Sequence, residues 1–392
     1  MPRGQPAYSP VILISIDGFR HDYLARGLSP HIAALAADGV HAPSMRASFP
    51  TFTFPNHYAI VTGLYPDHSG IVNNRFIDPR SGERFVYNDP RTTADPGWWG
   101  GEPLWVAVER AGKHAATVFW PGSDVAIAGT HPERWLPFDG KMDPDARVDQ
   151  GLAWLDLPRG ERPDFLTLYF EQVDHAGHDF GPVSREVDTA LGAVDHALGR
   201  LIEGLRQRGI FEHANIVLVS DHGMTPTSEQ RQIVLDDVVA PGDIDLVTTG
   251  VLAGFGPKPG HEAAVEHAVL APHDHMRCWR KSEVPPRLHY GANPRIPPLL
   301  CLADSGWLIS TREYLARPGH HVSLGEHGYD NDDPDMGALF IAHGPAFRHH
   351  VEIPQFDNVD LYPMLARLLG IPAAPNDGNA DALAPALAAG RH

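Results

Sequence analysis

Three aspartates and three histidines stand just beyond apolar, strand-like runs or in a glycine-flanked turn, where side chains of these types can hold metal. Ile12–Ile16 leads into Asp17, Phe165–Phe170 is followed by Asp174 and His178, and Ile216–Val219 is followed by Asp221 and His222. His327 lies in Gly325-Glu326-His327-Gly328-Tyr329. Between the first two runs, P-T-F-T-F-P-N-H offers two hydroxyls, Thr51 and Thr53. Six oxygen and nitrogen ligands with one hydroxyl nucleophile are what a two-zinc phosphate-ester hydrolase needs.

Each group also has a plainer structural explanation. An aspartate after a strand commonly caps a turn or helix. Three in one chain, two with nearby histidines, weaken that explanation. A threonine before a helix is an ordinary N-cap, but that does not conflict with chemistry: free N–H groups and the positive dipole end also favour a phosphate. Spacing alone does not choose between Thr51 and Thr53. Other clusters are weaker. Asp330–Asp335 resembles a calcium loop but lacks glycine at the sixth position, and Ile341 stands where the closing glutamate belongs. His273-Asp274-His275 and His349-His350 read as solvated loops. No P-loop and no G-x-S-x-G sequence occurs.

The elements that must position these groups alternate. A strand at 10–16 precedes a helix with Ser29 as N-cap, Pro30 as first residue and Gly39 as stop. A second helix runs from Pro55 to Thr62 and is closed by Gly63. A strand spans Ala115–Trp120. Ser184–Arg208 is the strongest helix, with Val187, Leu191, Val194, Leu198, Leu201 and Leu205 on one stripe. A strand at 216–219, another at Ala338–Ala342 and a helix near Asn358–Leu369 follow. Alternation of this kind implies an α/β fold: a mostly parallel central sheet with helices on both faces. Ligands gather beyond the carboxyl ends of such strands, where Asp17, Asp174 and Asp221 fall. Residues about 240–322 break the rhythm and read as an inserted cap region within a single domain, 1–392.

The chain has 392 residues, 43% hydrophobic and 20% charged, typical of a globular protein. Its formal charge of -18 argues against a nucleic-acid polymer as partner, although a small anion remains compatible. No run approaches the roughly 18–20 apolar residues of a membrane span. The first nine residues hold no signal-peptide core. Cys278 and Cys301 are the two cysteines, either a disulfide or two buried thiols.

Taken together, I-S-I-D-G-F-R, P-T-F-T-F-P-N-H-Y, T-G-L-Y-P-D-H-S-G-I-V-N-N, W-W-G-G-E-P-L-W, Y-F-E-Q-V-D-H-A-G-H-D-F-G-P, V-S-D-H-G-M and H-G-Y-D-N resemble the nucleotide pyrophosphatase/phosphodiesterases of the alkaline phosphatase superfamily. The compact length resembles the bacterial, catalytic-domain-only type. The resemblance implies two Zn²⁺, one on Asp17, Asp221 and His222 together with the nucleophile, the other on Asp174, His178 and His327. It makes Thr53 the nucleophile and Asn74 a donor to a phosphate oxygen, and it places Phe54 and Tyr169 against a nucleobase. Phe52 stands where many relatives carry a basic residue, a departure that bears on substrate preference. The implied substrates are small nucleotides, cleaved to nucleoside 5′-monophosphates through a nucleotidyl-threonine. Asn74 with an apolar wall suits diesters better than monoesters. Choline phosphodiesters, phosphomonoesters and zinc binding without turnover are the competing uses of such a site. Members are typically periplasmic or secreted, which implies a leader already removed here and favours a Cys278–Cys301 disulfide. Nothing in the sequence specifies an oligomeric state.

Overall fold

Apolar runs too short for helices form the strands of one eight-stranded sheet in the computed structural model, which describes residues 8–319 and 321–389. The reading of a missing signal core therefore falls, for residues 1–7, outside the described residues. In chain order the strands are β1 (Val11–Ile16), β2 (Val40–His41), β3 (Ala115–Val118), β4 (Arg134–Trp135), β5 (Phe165–Phe170), β6 (Asn215–Val219), β7 (Phe340–His343) and β8 (Val351–Glu352). Across the sheet they lie β8-β2-β7-β6-β1-β5-β3-β4. The pairs β6-β1, β1-β5, β5-β3, β3-β4 and β8-β2 are parallel; β7 runs antiparallel to both neighbours.

Helices cover both faces. The main ones are α1 (Pro30–Asp38), α2 (Thr53–Thr62), α3 (Pro144–Leu155), α4 (Gln172–Phe180), α5 (Arg185–Gln207) and α6 (Leu361–Leu369). Side chains alternate along a strand, so β1 feeds two cores. Val11 and Leu13 share an apolar cluster with Ile60 of α2 and Leu365 of α6. Ile12, Ile14 and Ile16 share the other with Ile32 of α1, Leu152 of α3 and Leu198 of α5. The whole predicted stripe of α5 is buried, and the Ser184 hydroxyl caps it by accepting from Val187 N–H at 3.2 Å.

Ser29, Pro30 and Gly39 bound α1 as expected, although the Ser29 hydroxyl makes no capping bond. Asp195 of α5 does that work from across the interface, accepting from the N–H groups of His31 (3.3 Å) and Ile32 (2.9 Å). Helix α2 begins at Thr53 rather than Pro55, so neither threonine is its N-cap; Phe52 holds that position.

Residues 244–303 build a second sheet of four antiparallel strands in the order Ile244–Thr248, Leu252–Pro257, Leu299–Ala303, Met276–Arg280. Cys278 and Cys301 face each other across the last pair and form a disulfide. The apolar side of this sheet continues the cluster containing Val11 and Leu13. Arg295 ties the segment to the main body. Its guanidinium donates to the carbonyls of Gly70 (2.9 Å), Trp98 (2.8 Å) and Gly97 (3.0 Å) and pairs with Asp78 at 3.2 Å.

Candidate active site

The carboxyl edge of the sheet brings all six predicted ligands together. Asp17 follows β1, and its N–H is fixed to Phe170 O at 2.8 Å. Gly18 takes a left-handed conformation (φ 67°) that lets its N–H reach Asp221 Oδ1 at 3.2 Å. Asp174 and His178 lie one turn apart on α4, hence on one face. Asp221 and His222 follow β6. His327 arrives differently: it precedes β7, whose first residue Phe340 lies opposite Val219 at the end of β6. The antiparallel strand thus enters the sheet from the catalytic edge.

The groups form one continuous cluster, in which Asp174, His222 and His327 on one side and Asp17, His57 and Asp221 on the other come within metal-holding reach of one another. His222 Nε2 lies 2.9 Å from Asp221 Oδ2, 3.4 Å from Asp17 Oδ1 and 3.3 Å from Thr53 Oγ1. Asp174 Oδ1 lies 3.5 Å from His178 Nε2 and 3.6 Å from His327 Nε2. The rings of His222 and His327 stack with centroids 3.5 Å apart, joining these contacts.

This donor set fits metal ions. Each imidazole turns its Nδ1 to a backbone carbonyl: His222 to Gly223 (2.9 Å), His178 to Gly325 (2.8 Å), His327 to Thr51 (2.8 Å). A carbonyl only accepts, so Nδ1 carries a proton and Nε2 is turned toward the carboxylates, the orientation of metal-ligating histidines. Asp17 Oδ1, Asp174 Oδ1 and Asp221 Oδ2 are buried without a hydrogen-bond partner. Such oxygens are costly unless a cation meets them.

The protein alone leaves these charges unbalanced. Burial, then the charges of Asp221 and Asp174, push the Asp17 carboxyl well up. Burial also opposes ionisation of Asp221, but the imidazoles of His222 and His57 outweigh it and hold that group well down. Burial and the neighbouring His222 and His178 hold His327 well below the ordinary imidazole value. For His178, burial is outweighed by Asp174 and Glu326, which raise it to about 9.

Thr53 and Asn74 share the cleft beside these groups. Asn74 Oδ1 accepts from the Phe54 N–H at 3.0 Å, which leaves its amide N–H₂ free to donate. Thr51 is used otherwise: its Oγ1 accepts from Gly328 N–H at 2.8 Å and donates to Tyr329 O at 3.1 Å. A cavity of about 420 Å³ opens in front of Thr53, walled by Phe54, Tyr87, Trp99, Phe138 and Tyr169. Tyr169 is nearly covered, at 7% exposure, and its hydroxyl donates to Asp17 Oδ2 at 2.6 Å. The most open large ring in the cavity is Phe138, 56% exposed, which the sequence reading missed. It also missed His57, fully buried with Nδ1 3.2 Å from Asp221 Oδ2. His57 lies within a quoted motif, one helical turn after Thr53, and that spacing was the available signal.

An eight-stranded, largely parallel sheet carrying two carboxylate–imidazole sets at its carboxyl edge defines an alkaline-phosphatase-like hydrolase. The chain belongs to the type I phosphodiesterase / nucleotide pyrophosphatase family, which matches residues 11–330. It is 40% identical over 388 residues to an uncharacterized pyrophosphatase/phosphodiesterase of Schizosaccharomyces pombe, covering 96% of this chain and 80% of that one. It is 40% identical over 381 residues to the venom phosphodiesterase of Macrovipera lebetinus, covering 94% of this chain but 44% of the venom enzyme. Among solved structures, murine ectonucleotide pyrophosphatase/phosphodiesterase 5 superposes with a TM-score of 0.91 at 34% identity, over 97% of this chain and 100% of that one. The same murine protein has been solved as an inactive threonine-to-alanine variant in complex with AMP. These relatives are eukaryotic; they give the family and not a bacterial subtype.

Proposed function

We propose that the chain is a two-zinc nucleotide phosphodiesterase/pyrophosphatase that releases nucleoside 5′-monophosphates through a nucleotidyl-threonine at Thr53. The observation that carries this reading is the meeting of three buried carboxylate oxygens that lack hydrogen bonds with three Nδ1-tethered imidazoles beside one buried hydroxyl. Asp17, Asp221 and His222 would hold one ion and Asp174, His178 and His327 the other, supplying Lewis acidity that lowers the hydroxyl pKa and neutralises phosphate charge.

Thr53 Oγ1 attacks phosphorus in line, forming the Oγ–P bond as the bond to the leaving oxygen breaks; that oxygen departs with a proton. Water then forms the new P–O bond, and Thr53 regains its hydroxyl. The Asn74 amide donates to a non-bridging oxygen as charge builds there. The first residue of α2 is Thr53, so the positive end of that helix's dipole lies beside the same oxygens. The aromatic cavity takes the nucleoside, and one amide donor in place of a cation suits a diester. Export to the periplasm or outside is supported by the Cys278–Cys301 disulfide and by relatives that include a venom enzyme and ectoenzymes. No helix among the described residues is long and apolar enough to cross a membrane. The continuous core supports one catalytic domain over 1–392 with 240–322 inserted in it. The test is a thymidine 5′-nitrophenyl ester: release of nitrophenol and thymidine 5′-monophosphate is expected, and no turnover by zinc-loaded protein would overturn the reading.

A further inference from the structure

A second cavity of about 380 Å³ adjoins the first at the reactive centre. Asn74, Tyr87, His178 and His327 line both cavities, whereas Thr53 and Phe54 line the first alone. A phosphate offered to Thr53 and held by Asn74 therefore spans the boundary. In-line displacement places the departing oxygen opposite Oγ1, and Thr53 is absent from the lining of the second cavity.

That cavity carries acid and apolar surface. Asp179 and Glu326 contribute carboxylates, and Phe52, Tyr87 and Val322 contribute apolar wall. Among the described residues no lysine or arginine lines either cavity. The imidazoles of His178 and His327 already belong to the ligand sets, and His321 lies exposed on the rim. Arg75 lies over the ring of Tyr87, 5.5 Å from its centroid, and is not part of the lining. Phe52 is fixed in place: its ring lies against Gly328, where an added Cβ would come within 2.3 Å of Phe52 Cε1.

We infer that this cavity receives the leaving group and selects against anionic ones, so that esters of neutral or cationic alcohols are cleaved in preference to nucleoside triphosphates. The inference rests on the proposed function and deepens it. The bond broken is the P–O bond to the alcohol, which leaves with a proton. A departing pyrophosphate would instead bring several negative charges against Asp179 and Glu326, and beyond the ions at the reactive centre no lysine or arginine of the lining meets them.

The test compares two substrates that share one nucleotidyl half: the thymidine 5′-nitrophenyl ester, whose leaving group is uncharged in the substrate, and thymidine triphosphate. The readout is the ratio of their kcat/KM values, so the chemical difference between the leaving groups cancels when variants are compared. Phe52→Lys is expected to shift the ratio toward the triphosphate by about tenfold, and Asp179→Asn by about threefold. Added salt should move the wild-type ratio the same way by screening the repulsion. Asp179→Asn is nearly isosteric and keeps the test valid if Phe52→Lys disturbs the His327 turn. A ratio unmoved by salt and by both variants overturns the leaving-group assignment while the proposed function stands. No cleavage of either substrate by the wild type removes the proposed function and this inference with it.

Discussion

Tyr169 holds Asp17. The phenol hydroxyl donates to Asp17 Oδ2 across 2.6 Å from the neighbouring strand, and Oδ1 is left without a hydrogen-bond partner, 3.4 Å from His222 Nε2. One oxygen is fixed so that the other has a defined aim. Such outer contacts are worth about 10–100-fold in metal affinity or activity. Tyr169→Phe keeps the ring in the cavity wall and removes this bond alone. Zinc titration of the apoprotein should show weaker binding by roughly tenfold or more, with little change in KM for nucleotide once metal saturates.

Zinc content should approach two per chain, with loss of activity on chelation and recovery on adding Zn²⁺. Metal should also raise the melting temperature, because it meets carboxylate oxygens that are otherwise buried without a hydrogen-bond partner. Elemental analysis beside calorimetry checks both.

Thr53→Ala should cost at least about a thousandfold in kcat, or about 4 kcal/mol on the barrier, while Thr53→Ser keeps much of the rate. Thr51→Ala has the opposite profile. It strips an acceptor from the Gly328 N–H and a donor from Tyr329 O, so stability should fall by about 1–3 kcal/mol with a smaller effect on kcat. Melting curves and kcat on the same proteins separate the roles.

Phe54→Ala should weaken nucleotide substrates by about 1–3 kcal/mol, the usual worth of a base–aromatic stack, and spare a diester that lacks a base. Its ring has support from Phe85, Tyr87 and Trp99, with centroids 5.7–6.1 Å away. Equal losses on both substrates would mean that the ring organises those neighbours instead.

Asp78 gives the acid limb of stability a defined origin. Hydrogen bonds from Arg80 first, and from Arg295, hold its carboxyl well below the usual carboxylate range. A folded pKa below the unfolded value of about 3.9 contributes stability that is full above that pH and is lost as pH falls toward the folded value. Asp78→Asn should therefore lower stability near neutrality, and the gap to wild type should narrow progressively as pH falls below about 4. Urea denaturation across pH measures it.

Much of this architecture was legible because local pattern and tertiary role coincide. The stripe of α5 and the apolar runs of β1, β5 and β6 leave no other way to bury themselves, and ligands placed after parallel strands meet at one edge. The remainder depended on contacts between distant segments. Asp195 caps α1 in place of Ser29 from 164 residues away. His57 finds Asp221, and Tyr169 finds Asp17, only once the strands are paired. His327 precedes its strand because β7 runs backward, so no strand-end rule pointed to it. Residues 244–303 mix proline, glycine and charge too densely for a clear strand period, and yet pair as four strands.

That backward final strand also orders events during synthesis. A growing polypeptide has Asp17, Asp221 and His222 in hand once residue 222 has emerged, but the partner of Asp174 and His178 waits for His327, and the strand that seats it comes later still. A copy terminated between His222 and His327 carries the groups of the first proposed set without the last member of the second, so assembly of the second set waits on the segment that leads into β7.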